Sequence, residues 1–372
     1  MDDVNPHEVE TLPALDRLLE QPVGHFHHAR LQGLDLTTRE SDLLRRNDFE
    51  GVVVLGGVIG PKLEEHLRRH GAVIFHDDPS LPVSSFRPAL YDYTELYEGL
   101  LARGYENTPD ARAYHWSRDA RSAHDAYATL QRAMHDDGIT DALQEWVHGR
   151  HVVGVMGGHA LRRGTPEFED AARLGARLAD AGVTVVTGGG PGAMEAANLG
   201  ALLGDSKELQ QALIDLADEP DFAQSIDGWA STAWKVRERH VPTDTHRSLG
   251  VPTWFYGHEP PNLFGSAIAK YFSNALREDI LLAICNAGIV VLAGAAGTVQ
   301  EIFQVTTRLY YGTEPGPPLV LVGREQWTRT IPVWPALQAL GAKSPLGDSL
   351  HLVDTIDEAQ AILLDQARSP RT

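Results

Sequence analysis

The second half of the chain alternates short, wholly apolar runs with stretches whose apolar residues recur at helical spacing. Val152–Met156 reads as a strand that ends at Gly157-Gly158, and Glu167–Ala181 reads as an amphipathic helix. Val183–Thr187 is the next strand, Gly188–Gly192 a glycine loop and Ala193–Leu203 a helix. Strands at Val251–Tyr256, Ile289–Leu292, Leu319–Val322 and Leu350–Val353 follow, with helices at Phe264–Asn286, Thr298–Tyr310 and Glu358–Gln366. Strands without polar alternation must be covered on both faces. The pattern therefore predicts an α/β, Rossmann-like parallel sheet with helices on both faces over residues 151–372. The stretch from Gly204 to about Ser248 is too long for a simple connection. It predicts a helical insertion, helical at Lys207–Ala217 and bearing Trp229, Trp234, Lys235, Arg237 and Arg239, which either packs on the domain edge or forms a lid.

Residues 1–150 predict a smaller N-terminal α/β domain. Val52–Leu55 and Ala72–Phe75 read as strands, joined by a helix from Pro61 to about His70. Helical patterns follow at Tyr91–Ala102, Ser117–His135 and Thr140–Val147, and Gly149-Arg150 marks the boundary. A chain of 372 residues is long enough for two cores.

Charge and composition narrow the partners. The formal net charge of −19 argues against nonspecific binding to nucleic acid or to an anionic membrane, both of which require a basic face. No run approaches the roughly 18 apolar residues of a bilayer span. The acidic start MDDVNPHEVE carries no apolar leader, and Cys285 is the only cysteine, so the expected setting is the reducing cytoplasm. His66 with His70, and the group His25, His27 and His28, have no third ligand beside them, so no metal is expected.

Two loops carry the candidate chemistry. Thr187-Gly188-Gly189-Gly190-Pro191-Gly192-Ala193-Met194-Glu195 follows a strand and opens a helix. So does Leu292-Ala293-Gly294-Ala295-Ala296-Gly297-Thr298-Val299-Gln300-Glu301. Glycine lets the backbone approach a ligand, and a helix start offers unpaired N–H donors to an anion. Together the loops resemble the Lonely Guy (LOG) family, once named lysine decarboxylases, whose signatures are GGGxxGxM and PGGxGTxxE. The resemblance covers roughly residues 151–372. Glu259-Pro260-Pro261-Asn262, Gly190–Ala196 and the extra N-terminal domain are similar to the larger bacterial pyrimidine/purine nucleotide 5′-monophosphate nucleosidases.

The resemblance implies hydrolysis of a nucleoside 5′-monophosphate at its N-glycosidic bond, without a cofactor. Glu301 would be the carboxylate at the anomeric carbon, and Arg277 would bind phosphate or base. Gly294, Gly297 and Thr298 would hold the phosphate. Gly189, Gly190, Gly192 and Met194 would line the ribose and base, Gly157 and Gly158 would join the substrate- and phosphate-binding set, and Glu195 and Glu259 would stand nearby. Thr298 and Glu301 also fit a capping box, the purely structural alternative. The family's PGG is Ala293-Gly294-Ala295 here, which preserves the cradle only if residue 295 has negative φ. The alternative function is a non-catalytic carrier of a nucleotide or a molybdenum cofactor. Decarboxylation with pyridoxal phosphate would need a lysine, and neither loop has one. The family also implies a dimer-based homo-oligomer paired through helices beside the site, where Thr306, Arg308 and Tyr310-Tyr311 fall.

Overall fold

The computed structural model describes residues 8–240, 247–256 and 259–368; the first seven residues and the end of the predicted insertion, residues 241–246, lie outside this description. The chain divides into two compact units, one of residues 1–90 with 119–146, the other of residues 91–118 with 147–372.

The first unit holds a parallel sheet in sequential order, β1 (Glu8–Val9), β2 (Arg30–Gln32), β3 (Val53–Leu55) and β4 (Val73–Phe75). Val9, Leu31, Val54 and Ile74 stand in one row across it and pack against Leu15, Leu43, Leu63 and Leu67 of the intervening helices. β1 and β2 escape sequence reading because two or three residues cannot display an alternation. The predicted helices at Ser117–His135 and Thr140–Val147 are rearranged. Asp125 accepts the Ala128 N–H, and one helix runs from Ala126 to Val147. Tyr91–Ala102 forms two single turns separated by Gly99, at φ +82°.

The second unit is built on seven parallel strands: β5 (Val152–Met156), β6 (Thr184–Thr187), β7 (Ser248–Gly250), β8 (Ala267–Ile268), β9 (Gly288–Val291), β10 (Leu319–Val322) and β11 (Leu350–Val353). Their spatial order is β11-β10-β9-β5-β6-β7-β8. Val153, Val155, Val185, Val290 and Val320 bury one face against Leu174, Leu178 and Leu363. The helices Pro166–Asp180 and Ala193–Leu203 approach so closely that a methyl group on Gly175 would meet the Ala197 carbonyl, and one on Gly200 that of Ala172.

Two predicted elements differ. The run Val251–Tyr256 is not a strand; pairing with β6 occupies Ser248–Gly250 instead. Val251 N–H makes the last bond, to Thr187, because Pro252 has no N–H to continue the ladder. The helix predicted over Phe264–Asn286 is the edge strand β8 followed by Asn274–Ala283, capped by Ser273.

The unit division also differs from a single cut at residue 150. The segment Tyr91–Arg118 packs with the second unit. Lys270 Nζ lies 2.5 Å from Asp110 Oδ1, and the Trp254 indole donates to the same oxygen at 2.9 Å. Tyr105 N–H bonds Asp227, and the Tyr97 hydroxyl bonds the Pro261 carbonyl. Such long-range pairing leaves no trace in a local pattern. Among the described residues, no helix is long and apolar enough to cross a membrane.

Candidate functional site

Winding outward from β5 in both directions creates a switch point between β5 and β9, where the loops at the strand ends part. The loop after β5 and the loop after β9 meet there. Leu292 N–H bonds Met156 O at 2.8 Å, and Gly158 N–H bonds Ala293 O at 2.9 Å. A cleft of about 760 Å³ opens above them, lined by Gly157, Gly158, Gly190, Met194, Glu259, Arg277, Gly294, Gly297, Thr298 and Glu301 among others. Ten of the thirteen residues singled out in the sequence therefore share one cavity.

The helix Ala296–Tyr310 begins at the cleft with no side-chain cap: its N-cap residue is Ala295, and the first intrahelical bond is Val299 N–H to Ala295 O. The N–H groups of Ala296, Gly297 and Thr298 precede that bond and belong to cleft-lining residues. Ala295 has φ −120°, so alanine is allowed where the family motif has glycine. Gly294 is required: a methyl group there would run into the Thr298 hydroxyl. Around Gly297 a methyl group would meet nothing within 4 Å, which is open space over the helix start.

Arg277 is buried on the helix Asn274–Ala283, and its Nε has no hydrogen-bond partner. It makes neither an ion pair nor a side-chain hydrogen bond with a described residue. Glu301, in the second turn of its helix, likewise has no side-chain hydrogen bond among the described residues. The capping-box alternative fails, because Thr298 lies inside the helix and Ala295 holds the cap position. Burial raises the Glu301 carboxyl to about 7; Arg277 pulls it down and Glu278 pushes it up, and loss of solvent is the largest effect. A carboxyl that titrates near neutrality beside an unpaired guanidinium suits proton transfer next to an anion.

Three predicted residues stand elsewhere. Glu195 is fully buried and paired with Arg163, whose Nε lies 3.1 Å from Oε2. A first-turn acid so neutralised is a structural partner. Gly189, at φ +72°, lies behind the cleft, where its carbonyl accepts the Asn262 N–H at 2.7 Å. Gly192, at φ +73°, opens the helix Ala193–Leu203 and lines a smaller recess of about 240 Å³ next door.

The described part of the insertion walls that recess rather than the cleft, through Pro220–Ala223 and Trp229. Arg163 fastens it, donating to Glu219 O and Trp229 O and lying 4.6 Å over the Trp229 ring. The described part of the insertion thus packs on the domain edge.

Sequence reading missed several lining residues. His159 follows Gly157-Gly158 directly, and its Nδ1 lies 3.2 Å from Glu259 Oε1. Glu278 adjoins Arg277 and is held by Asn274 Nδ2 at 3.0 Å and by Gln300. Gln326, from the π-turn after β10, donates to Gly294 O at 3.3 Å, and no motif marks it. Asn262 is the staple of the first loop. Its side-chain amide donates to Gly190 O and Asn198 Oδ1, both at 3.0 Å. Its place in Glu259–Asn262 was the available signal. No lysine is among the described residues that line the cleft, and Cys285 is buried beneath β5 with its thiol raised by burial.

Residues 150–206 match the model of the SLOG cluster4 family, consistent with the LOG-like resemblance. The match spans β5, β6, the first glycine loop and the helix that it opens. No curated protein matches the chain. Among solved structures, the structural-genomics target TM1055 is similar at 20% identity, with a TM-score of 0.38 over 58% of this chain and 99% of that one. The molybdenum cofactor binding protein from the phototrophic bacterium Rippkaea orientalis is similar at 16% identity and a TM-score of 0.35, over 59% of this chain and 98% of that one.

Proposed function

We propose that the cleft hydrolyses a nucleoside 5′-monophosphate at its N-glycosidic bond, giving the free base and ribose 5-phosphate. The observation that carries this reading is the pair Arg277 and Glu301, a buried cation and a carboxyl near neutrality, neither with a side-chain hydrogen bond to a described residue, in one cavity with an uncapped helix start. The phosphate is held by the N–H groups of Ala296, Gly297 and Thr298, the Thr298 hydroxyl and Arg277. Binding an anion here needs no basic surface, which agrees with a net charge of −19.

Hydrolysis passes through an oxocarbenium-like sugar. Ionised Glu301 stabilises the positive charge developing at the anomeric carbon and accepts a proton from the attacking water. Gly190 and Met194 border the base side, with Gly189 and Asn262 fixing the loop from behind. The reaction needs no metal or organic cofactor, and no nucleic acid or membrane takes part.

The test is a panel of AMP, GMP, IMP, CMP and UMP incubated with the protein and scored for free base. Release from at least one, abolished by Glu301→Gln, is expected. A nucleotide that binds and is returned intact would make the protein a carrier.

A further inference from the structure

The proposed reaction has a second half that Glu301 does not cover: the departing base must gain a proton. The C1′–N electron pair leaves with the base, and a neutral base departs far more readily than an anion. His159 is a further proton-carrying side chain that lines the cleft. It follows Gly157-Gly158, and its backbone lies against the first glycine loop, where a methyl group on Gly192 would meet the His159 carbonyl at 2.8 Å. The side chain is half exposed and lines the cleft.

Glu259 stands on the opposite loop, beside Gly190: a methyl group on Gly190 would come within 4.0 Å of its Oε2. Its Oε1 lies 3.2 Å from His159 Nδ1. A carboxylate that accepts from Nδ1 fixes the ring, and when the ring carries both protons its Nε2–H is the donor left over.

We infer that His159, oriented by Glu259, is the general acid that protonates the leaving base, acting opposite Glu301. This rests on the hydrolytic reading above. In the balanced step the C1′–N bond breaks, its electron pair goes to the base, and the base takes the Nε2 proton at a ring nitrogen or carbonyl oxygen. The water oxygen bonds C1′ and its proton passes to Glu301. The enzyme returns to its starting state when Glu301 loses that proton to solvent and His159 regains one. His159 would be a catalytic residue and Glu259 a positioning one.

The test uses two substrates and the full chain. An ordinary purine nucleotide needs a proton on its leaving base, whereas 7-methylguanosine 5′-monophosphate already carries the positive charge that protonation supplies. His159→Gln should lose about 10²–10⁴-fold in kcat on the ordinary nucleotide and stay close to wild type on the methylated one, with ribose 5-phosphate affinity unchanged. Glu259→Gln should show the same selectivity with a smaller loss. Equal losses on both substrates, or no loss on either, would overturn the assignment while leaving the hydrolytic reading intact. A wild-type protein that releases base from neither substrate would overturn both.

Discussion

At the scale of single residues, Glu301 and Gly297 separate chemistry from folding. Glu301→Gln removes the charge that the sugar cation requires, so base release should fall about 10²–10³-fold while ribose 5-phosphate still binds. The same substitution has a pH signature. The folded-state carboxyl titrates near 7 against a usual 4.5, so the fold favours its protonated form. That contribution is complete below pH 4.5 and is lost as pH rises through 7, reaching at most about 3 kcal/mol. Glutamine does not titrate. The melting temperature of Glu301→Gln relative to wild type should therefore climb between pH 5 and pH 8; a constant difference would mean that the carboxyl is not desolvated. Gly297→Ala puts a methyl group into open space at a helix start. Melting should hold or rise slightly, yet calorimetry should show weaker ribose 5-phosphate binding. Unchanged affinity would place the anion elsewhere.

At the scale of elements, one of the ties that hold the insertion is a buried arginine, itself neutralised by an ion pair. Arg163 reaches Glu195 in the first turn of Ala193–Leu203 and two carbonyls of the insertion. Removing one member leaves the other buried and uncompensated, which costs about 3–5 kcal/mol. Arg163→Met should therefore be far more damaging than its exposed neighbours, and Arg163→Met with Glu195→Gln should lose less than the sum of the single changes. Denaturant titration of the four proteins measures that coupling; strict additivity would show that the pair is not the fastening.

At the scale of the whole molecule, a dimer-based assembly is a proposal that exposed residues on the helices bordering the cleft can test. Tyr311 is 80% exposed and Tyr310 39%, at the end of the helix that starts at the anion cradle, and Leu276 on the neighbouring helix is 37% exposed. Exposed aromatics at one helix end suit a self-complementary contact. Light scattering should give a multiple of the 40.7 kDa chain mass, and Tyr311→Asp should shift it toward the monomer without lowering base release per folded site by more than a few-fold. A monomeric wild type at micromolar concentration would refute the assembly.

The sequence by itself determined the repeat of apolar strands and helices in the second unit, because burial on both faces of a parallel sheet writes itself into a local pattern. It also determined both glycine loops, because close backbone approach leaves few residue choices. It could not determine that Pro252 ends β7 and sends the following apolar run into the cleft wall, since periodicity cannot distinguish a buried strand from a buried loop. Nor could it sort the acidic residues. Glu195 and Glu301 each follow a glycine loop on a helix, but Glu195 meets Arg163 from 32 positions away whereas Glu301 meets no hydrogen-bond donor among the described residues. Only the tertiary structure decided which carboxylate is neutralised and which is left to titrate. Desolvation and pairing are properties of what surrounds a residue in space, and the β5–β9 switch point, which brings Gly157 and Gly158 against residues 292–294, exists only once the sheet has formed.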